Sequence, residues 1–390
     1  MSKKLEAEIA DLTGQLVAWR RDFHRHPEVA FQETRTSAVV RKFLESLGLP
    51  VRSAGGTGLV AVLEGKPGGK TVALRADMDA LPVQEVDERE YGSLNRGAMH
   101  ACGHDGHMAM LMAAAKVLTA RKGEFSGRVV FLFQPAEEKP PGGAMRMVED
   151  GALDGVDAVF GLHLWQAFPT GRVGIIKGPM LAQSDNFRIV VKGKGGHGAM
   201  PHMAVDPIVA AAQIITNCQT IVSRNIDPLK PCVVTFGTVS GGTTNNIIPA
   251  EVILTGTART FHPAVQALAE RRLREISEET AKAFGASCQV EYVPGYPAVV
   301  NDAAMVDFAA DVARRVLGEG CLYPCDPVMG GEDFAFYLQK VPGAFIFLGA
   351  GDGQEFPHHH PAFDIDEKAL PTGALLNASL ALEFLGVKPE

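Results

Sequence analysis

Four short apolar runs each lead into side chains able to bind a metal or move a proton, and this recurrence restricts the fold more than any other feature. Thr71-Val-Ala-Leu-Arg75-Ala delivers Asp77 and Asp79, Val129–Phe133 delivers Glu137 and Glu138, and Asp157–Leu162 delivers His163. The fourth, Ala344–Leu348, precedes the run His358-His359-His360-Pro361. Val129–Phe133 is apolar at every position, the pattern of a strand covered on both faces of a parallel sheet. Helical signals lie between the runs. Val40, Phe43, Leu44 and Leu47 recur at helical spacing and Gly48 ends them; Met108–Leu118 has the Ala/Met/Leu content of a buried helix; Asp302–Leu317 is closed by Gly318. Strands that alternate with helices and collect functional groups at their carboxyl ends describe an α/β protein with its site beyond the strand ends.

The middle of the chain follows another order. Phe187–Val191 reads as a strand and Asp206–Ser223 as a helix carrying Ile208, Val209, Ala212, Ile215 and Val222. Cys232–Gly237 and Val252–Thr260 are strands on either side of the Gly241–Asn246 turn region, then come a helix at Ala264–Phe284 and a strand at Ser287–Tyr292. This β-α-β-β-α-β order is the split-βαβ, ferredoxin-like unit, which forms a two-layer domain by itself. The expected organisation is a small domain, 184–297, inserted in a larger one made of 1–183 and 298–390, with junctions near Gln183 and Ala298. A chain of 390 residues is long enough for both.

Composition removes several classes of function. A net charge of −8 with no basic block argues against nucleic acid as a partner. The longest apolar stretch, Met108–Ala115, is stopped by Lys116 well short of membrane-spanning length. The opening Met1-Ser-Lys-Lys lacks the apolar core of a signal peptide, and the six cysteines are dispersed without a CxxC pair. A cytoplasmic, reducing environment is expected.

The stretch His100-Ala-Cys102-Gly-His104-Asp105-Gly-His107 packs one thiol, one carboxylate and three imidazoles into eight positions. Thiolate and imidazole suit borderline divalent ions such as Zn²⁺, and carboxylate widens the choice to Mn²⁺ and Co²⁺. The adjacent pair Glu137-Glu138 can serve one site in two roles only where the backbone turns, since neighbours in an extended segment point to opposite sides. Pro135 favours such a turn. One glutamate would then bind a metal while the other takes a proton from a water whose pKa the ion has lowered. Asp77 and Asp79 are placed to fix the orientation of ligand imidazoles from behind. Of His358, His359 and His360, not all can face one ion. Gly193-Lys-Gly-Gly196-His197 lets a histidine protrude from the inserted domain, while Asn246 and Arg259 are polar groups suited to a substrate carboxylate, Arg259 by a two-pronged contact.

Taken in order, the motifs Arg75–Pro82, His100–His107, Gln134–Glu138, Gly161–Trp165, Gly195–His202 and Gly330–Phe334, with the opening Trp19–Glu28, resemble the amidohydrolase branch of the aminoacylase and glutamate-carboxypeptidase metallopeptidases. The resemblance implies a mixed-sheet catalytic domain with helices on both faces and an inserted ferredoxin-like lid that forms a homodimer, or a higher oligomer. It implies two divalent ions per subunit (Zn, Mn, Co or Ni) held by Cys102, His104, Glu138, His163 and, from the His-x-Pro ending, His359. Glu137 falls on the general base and His197 on a lid histidine serving the partner's site, while Asn246 and Arg259, read from their chemistry, would hold the substrate carboxylate. Asp77-x-Asp79 stands where other branches carry a His-x-Asp metal motif, which places these aspartates behind the ligands. The implied reaction is hydrolysis of N-acyl amino acids to a carboxylic acid and a free amino acid, with a dipeptidase or carboxypeptidase as the alternative. A cysteine hydrolase using Cys102 as nucleophile would instead keep its activity without metal.

Overall fold

The computed structural model describes residues 2–86, 89–351, 353 and 356–387. They form two compact units: Met1–Met180, Val299–Pro327 and Asp333–Glu390 make unit 1, and Leu181–Ala298 with Val328–Glu332 make unit 2.

Unit 1 is built on a seven-stranded sheet in the order β1-β2-β4-β3-β5-β15-β6. The strands are β1 (Val51–Ser53), β2 (Leu59–Glu64), β3 (Lys66–Asp77), β4 (Ser126–Gln134), β5 (Ala158–Pro169), β6 (Val173–Gly174) and β15 (Gly343–Gly351). β4, β3, β5 and β15 run parallel; β2 joins β4, and β6 joins β15, antiparallel, so the sheet is mixed. The all-apolar run Val129–Phe133 is buried in β4, one strand in from β2, as its lack of alternation requires. The helices are α1 (Ser2–Ala10), α2 (Thr13–Arg25), α3 (Thr34–Ser46), α4 (His104–Ala120), α5 (Gly143–Glu149), α8 (Ala303–Leu317), α9 (Ala335–Leu338) and α10 (Ala369–Phe384). Helix α4 is buried around its whole circumference from Met108 to Ala115 and packs against α2 and α10. Each methionine or leucine among them contributes about 2 kcal/mol by leaving water. The α10 contact depends on Gly373, where a Cβ would lie 2.0 Å from Met110 Sδ.

Unit 2 carries β8 (Gln183–Lys192), β9 (Gly196–His197), α6 (Pro207–Cys218), β10 (Cys232–Ser240), β11 (Ile247–Ile248), β12 (Glu251–Thr260), α7 (Pro263–Ala283) and β13 (Ser287–Tyr296). The short β7 (Gly178–Leu181) ends at its first residue, and β14 (Val299–Asn301) begins where unit 1 resumes. Its four-stranded sheet has the order β10-β12-β8-β13, antiparallel throughout, the pairing of a ferredoxin-like unit. Ala210, Ala211 and Ile214 of α6 and Val265, Ala269 and Leu273 of α7 pack on Ile189 and Leu254 to form its core. Among the described residues, no helix is long and apolar enough to cross a membrane.

Candidate metal centre

β3, β4 and β5 run parallel side by side, so their carboxyl ends bring three of the chemistry-bearing segments together in unit 1. His163 lies inside β5 rather than at its end, because pairing with β15 carries the strand on past it. Cys102 and His104 arrive on the turn that opens α4. Between them Gly103 sits at φ +86, and an added Cβ there would meet nothing closer than 3.6 Å. Backbone conformation rather than space therefore calls for glycine.

The Glu137-Glu138 turn is made by Ala136, a non-glycine residue at φ 52. Three successive N–H groups on this turn are taken by carboxylates. Ala136 N–H donates to Glu33 Oε1 (2.9 Å), Glu137 N–H to Asp79 Oδ1 (3.0 Å) and Glu138 N–H to Asp79 Oδ2 (2.9 Å). Glu33 is fully buried and also accepts from Thr57 Oγ1 (2.6 Å) and Phe31 N–H (3.0 Å). Sequence reasoning did not find it, because it sits where an ordinary helix-capping residue would, just ahead of α3.

The hydrogen-bond partners sort the histidines by which nitrogen keeps a lone pair. His104 Nδ1 donates to the Asp79 carbonyl (2.9 Å) and His163 Nδ1 to the Leu164 carbonyl (2.8 Å), which leaves Nε2 of each able to bind an ion. His107 is spent: Nδ1 donates to Asp77 Oδ1 (2.6 Å) and Nε2 accepts from Leu164 N–H (2.8 Å). His100 is buried, and burial holds it at about 3, so it stays neutral. In the C-terminal triplet, His358 Nε2 donates to the Leu164 carbonyl (3.0 Å) and its ring stacks on Trp165. His360 stacks on Phe356, with Nδ1 accepting from Ala362 N–H (3.1 Å). His359, at φ 69, turns the other way and sets Nε2 3.3 Å from Glu138 Oε1.

Ligand-type atoms converge in overlapping groups, each within 4.8 Å: Cys102, His104 and His163; Cys102, Glu138 and His359; His104, Glu137 and Glu138. Two of them share Cys102. The donor set of one thiol, three imidazoles and a carboxylate fits borderline divalent ions. His104 Nε2 and Glu138 Oε1 fit them further: both are buried side-chain atoms with no hydrogen-bond partner, a situation that costs free energy unless an ion occupies the space.

Charge points the same way. Burial, then Glu138, Glu137 and Asp77, push the Cys102 thiol well above its usual range. Its Sγ is 3.5 Å from His163 Nε2, yet a thiolate among three carboxylates needs a cation, so the pair makes a poor metal-free nucleophile. Burial, then His107 and His358, push His163 well down, which keeps it neutral as a ligand must be. His104 goes the other way: burial pulls it down, but Asp77, Asp79 and Glu138 outweigh that and raise it to about 10, so a bound ion would have to displace its Nε2 proton. Burial would raise Asp77, but Arg75, then His104 and His107, hold it well below the carboxylate range. Arg75 Nη1 donates to Asp77 Oδ2 (2.6 Å) and Nε to Gln134 Oε1 (2.8 Å).

The remaining candidates lie in unit 2. His197 is exposed on β9, and its Nδ1 accepts from Ala199 N–H (3.0 Å), which leaves a protonated Nε2 for another partner. β9 pairs with β11, and Gly198 N–H donates to the Asn246 carbonyl (2.8 Å), so His197 and Asn246 are neighbours. Arg259 is at the other end of β12, opposite Ser184. A ten-residue strand spans on the order of 30 Å, so one chain does not bring Asn246 and Arg259 together. Burial lowers Arg259, against the pull of Asp185, and its Nη1 has no hydrogen-bond partner.

The sequence profile of peptidase family M20/M25/M40 matches residues 73–383. The N-acetylcysteine deacetylase of Bacillus subtilis (strain 168) is 40% identical over 373 residues, 95% of this chain and 97% of the relative. Thermostable carboxypeptidase 2 of Saccharolobus solfataricus is 40% identical over 389 residues, 98% of each. The crystal structure of the Bacillus subtilis YXEP protein, described as a dinuclear metal-binding peptidase of the M20 family, superimposes with a TM-score of 0.85 at 37% identity, covering 97% of this chain and all of that one.

Proposed function

The chain belongs to peptidase family M20/M25/M40, and on that premise we propose that it hydrolyses the amide bond of N-acyl amino acids with two divalent ions in unit 1. The observation that carries this reading is the convergence of Cys102, His104, Glu138, His163 and His359 beside Glu137. Those five residues would hold the ions, which we take to be Zn²⁺, Mn²⁺, Co²⁺ or Ni²⁺. When bound, such ions act as Lewis acids toward a carbonyl and acidify water. Glu137 accepts a proton from the attacking water at its carboxylate and returns it to the leaving nitrogen, so that amide and water become carboxylic acid and amine. Asp79 and Glu33 fix the turn that presents Glu137. Asp77, held by Arg75 and His107, sets Oδ2 3.6 Å from His104 Nε2.

We further propose a homodimer through unit 2, in which His197 donates Nε2–H to the oxyanion in the neighbouring subunit's site; losing such a donor typically costs ~10²–10³ in rate. The separation of Asn246, just ahead of β11, from Arg259, near the far end of β12, supports this, because one substrate carboxylate would meet both only if they came from different chains. All six cysteines are unpaired, as suits the reducing cytoplasm.

A second reading, a carboxypeptidase, is favoured by the resemblance to the Saccharolobus enzyme. Assaying N-acetyl, N-benzoyl and indole-acetyl amino acids beside dipeptides, with and without chelator, separates the two. In the same assay Glu137→Gln should retain metal while turnover falls ~10²-fold or more. Near-parental turnover in metal-loaded Glu137→Gln would remove Glu137 as the base, and activity that survives chelation would remove the metal chemistry.

A further inference from the structure

The opening segment Trp19–Glu28 supplies none of the proposed ligands, yet two of its polar residues are wholly buried. Arg20 and His24 both show 0% exposure. The Arg20 guanidinium meets three carboxylates from distant parts of the chain: Nε donates to Asp105 Oδ2 (2.9 Å), Nη2 to Asp364 Oδ1 (2.6 Å) and Nη1 to Glu367 Oε1 (3.2 Å). Asp105 follows His104 directly, and Asp364 stands at the foot of the loop that carries His359.

These contacts close into a ring. Asp105 Oδ2 also bonds His24 Nδ1 (2.8 Å), His24 Nε2 faces Glu85 Oε1 (3.3 Å), and Glu85 pairs with Arg89 Nε (3.2 Å). Arg89 pairs with Asp364 Oδ2 (3.1 Å), which returns the path to Arg20. Arg89 also donates to the carbonyls of Phe363 (3.0 Å) and Ala362 (3.4 Å), and Tyr91 to Asp364 (2.7 Å). On the metal side, His359 N–H donates to the carbonyl of Ala101, the residue before Cys102 (2.8 Å).

We infer that Arg20 is a positioning residue for the metal centre, its guanidinium joining the N-terminus of α4, which bears His104, to the loop that bears His359. The inference rests on the metal-ligand reading above and deepens it. Two physical points favour it over a purely structural role. A buried ion cluster is weak as a source of stability, because well-packed apolar residues often do as well, and in some proteins it serves instead to fix one geometry, the role assigned to it here. His359 occupies the left-handed region at φ 69, and such a conformation persists only where its surroundings over-determine it. The ring provides that constraint on one side and the Ala101 carbonyl on the other. Arginine is required because one planar fork must serve three acceptors, which the point charge of lysine cannot do.

The test is a Co²⁺ titration of metal-stripped protein, followed by visible absorption, on the parent and on Arg20→Lys, Asp364→Asn, His359→Ala and the Asp364→Asn/His359→Ala double variant. Loss of a group that orients a ligand raises the metal dissociation constant ~10–100-fold. Arg20→Lys and Asp364→Asn should each do so with an altered cobalt spectrum, while metal-free Asp364→Asn unfolds within a few degrees of the parent. Asp364 lies at the half-buried edge of the ring, so that variant carries the test should Arg20→Lys fail to fold. The Asp364→Asn effect should vanish when His359 is already alanine. Parental cobalt affinity in Asp364→Asn, or an equal loss with and without His359, would overturn the positioning role while leaving the metal centre standing. A parent that takes up no cobalt would overturn both.

Discussion

Asp79→Asn is the sharpest test of how the turn presenting Glu137 is held. Each Asp79 oxygen accepts one backbone N–H, from Glu137 at 3.0 Å and from Glu138 at 2.9 Å. Asparagine keeps one acceptor and turns an NH₂ toward the other N–H. One charge-assisted hydrogen bond is lost, about 1.5–3 kcal/mol, and a buried donor is left opposed, about 1–3 kcal/mol more, although the two overlap. A net cost of ~3 kcal/mol is a factor of ~10². If the turn relaxes rather than bears that cost, Glu137 shifts, and a displacement of ~1 Å at a reacting group is itself worth ~10² in rate. Turnover of Asp79→Asn should therefore fall ~10²-fold with KM changed only a few-fold. Initial rates on an N-acetyl amino acid, with bound metal counted by elemental analysis, measure it. Turnover above half the parental value at equal metal content would refute the argument that Asp79 sets the turn.

Cys102→Ser should lose metal on dialysis, because a hydroxyl is a far poorer ligand than a thiolate; full occupancy by elemental analysis would make Cys102 a bystander. At Gly142, φ is +82 and a Cβ would lie 2.3 Å from Asp333 Oδ2; Gly142→Ala should destabilise by ~1–3 kcal/mol, the usual cost of strain at such a position. Gly14→Ala in α2, where a Cβ meets nothing within 4 Å, should instead stabilise by roughly 0.5–1 kcal/mol, and calorimetry reads both. Mixing inactive His197→Ala and Glu137→Gln proteins under subunit exchange should restore about a quarter of parental activity, since half the dimers are hybrids with one intact site. No recovery despite proven exchange would place His197 in its own chain's site or outside catalysis.

What could be read from the sequence was local. Ligand types cluster within a few positions at Cys102–His107 and Glu137–Glu138, and the apolar runs before them lack the alternation of a half-solvated strand. Helix α3 announced itself through Val40, Phe43 and Leu44 because one of its faces is wet. Helix α10 gave no such signal: Ala374–Leu382 is buried on every side, so no polar face marks the period. Contacts between distant segments were equally silent. Nothing near Glu33 or Arg20 points to Ala136 or Asp364. The residues alone left the three adjacent histidines open and only the family resemblance singled out His359; in the structure Leu164, Trp165 and Phe356 claim the other two. Ala136 is not a residue type that advertises the left-handed region, so the turn was deducible from need but not from composition.

Taken together, the burial and the charges explain why this centre is assembled from such different groups. Glu33, Asp77, Asp79, Glu137 and Glu138 crowd one region with a thiol, and among the described contacts Arg75 alone brings a permanent positive charge to Asp77. Buried carboxylates are tolerable when their oxygens have donors, and three of them have donors from the chain itself: backbone N–H groups for Glu33 and Asp79, Arg75 and His107 for Asp77. Glu138 differs, since its Oε1 makes no hydrogen bond and faces His359 Nε2 at 3.3 Å. The division is functional in its logic. Carboxylates whose lone pairs are consumed by the fold can only orient their neighbours, whereas the Glu138 oxygen and the His104 nitrogen left without a hydrogen bond, beside a thiol and two further imidazole nitrogens that meet only other ligand candidates, are what a cation needs. Ligand and support are therefore distinguished by what the protein has already bonded to each atom, and not by residue type: His107 and His104 are chemically identical and sit three positions apart, yet Leu164 N–H removes the first from the ligand set and leaves the second in it.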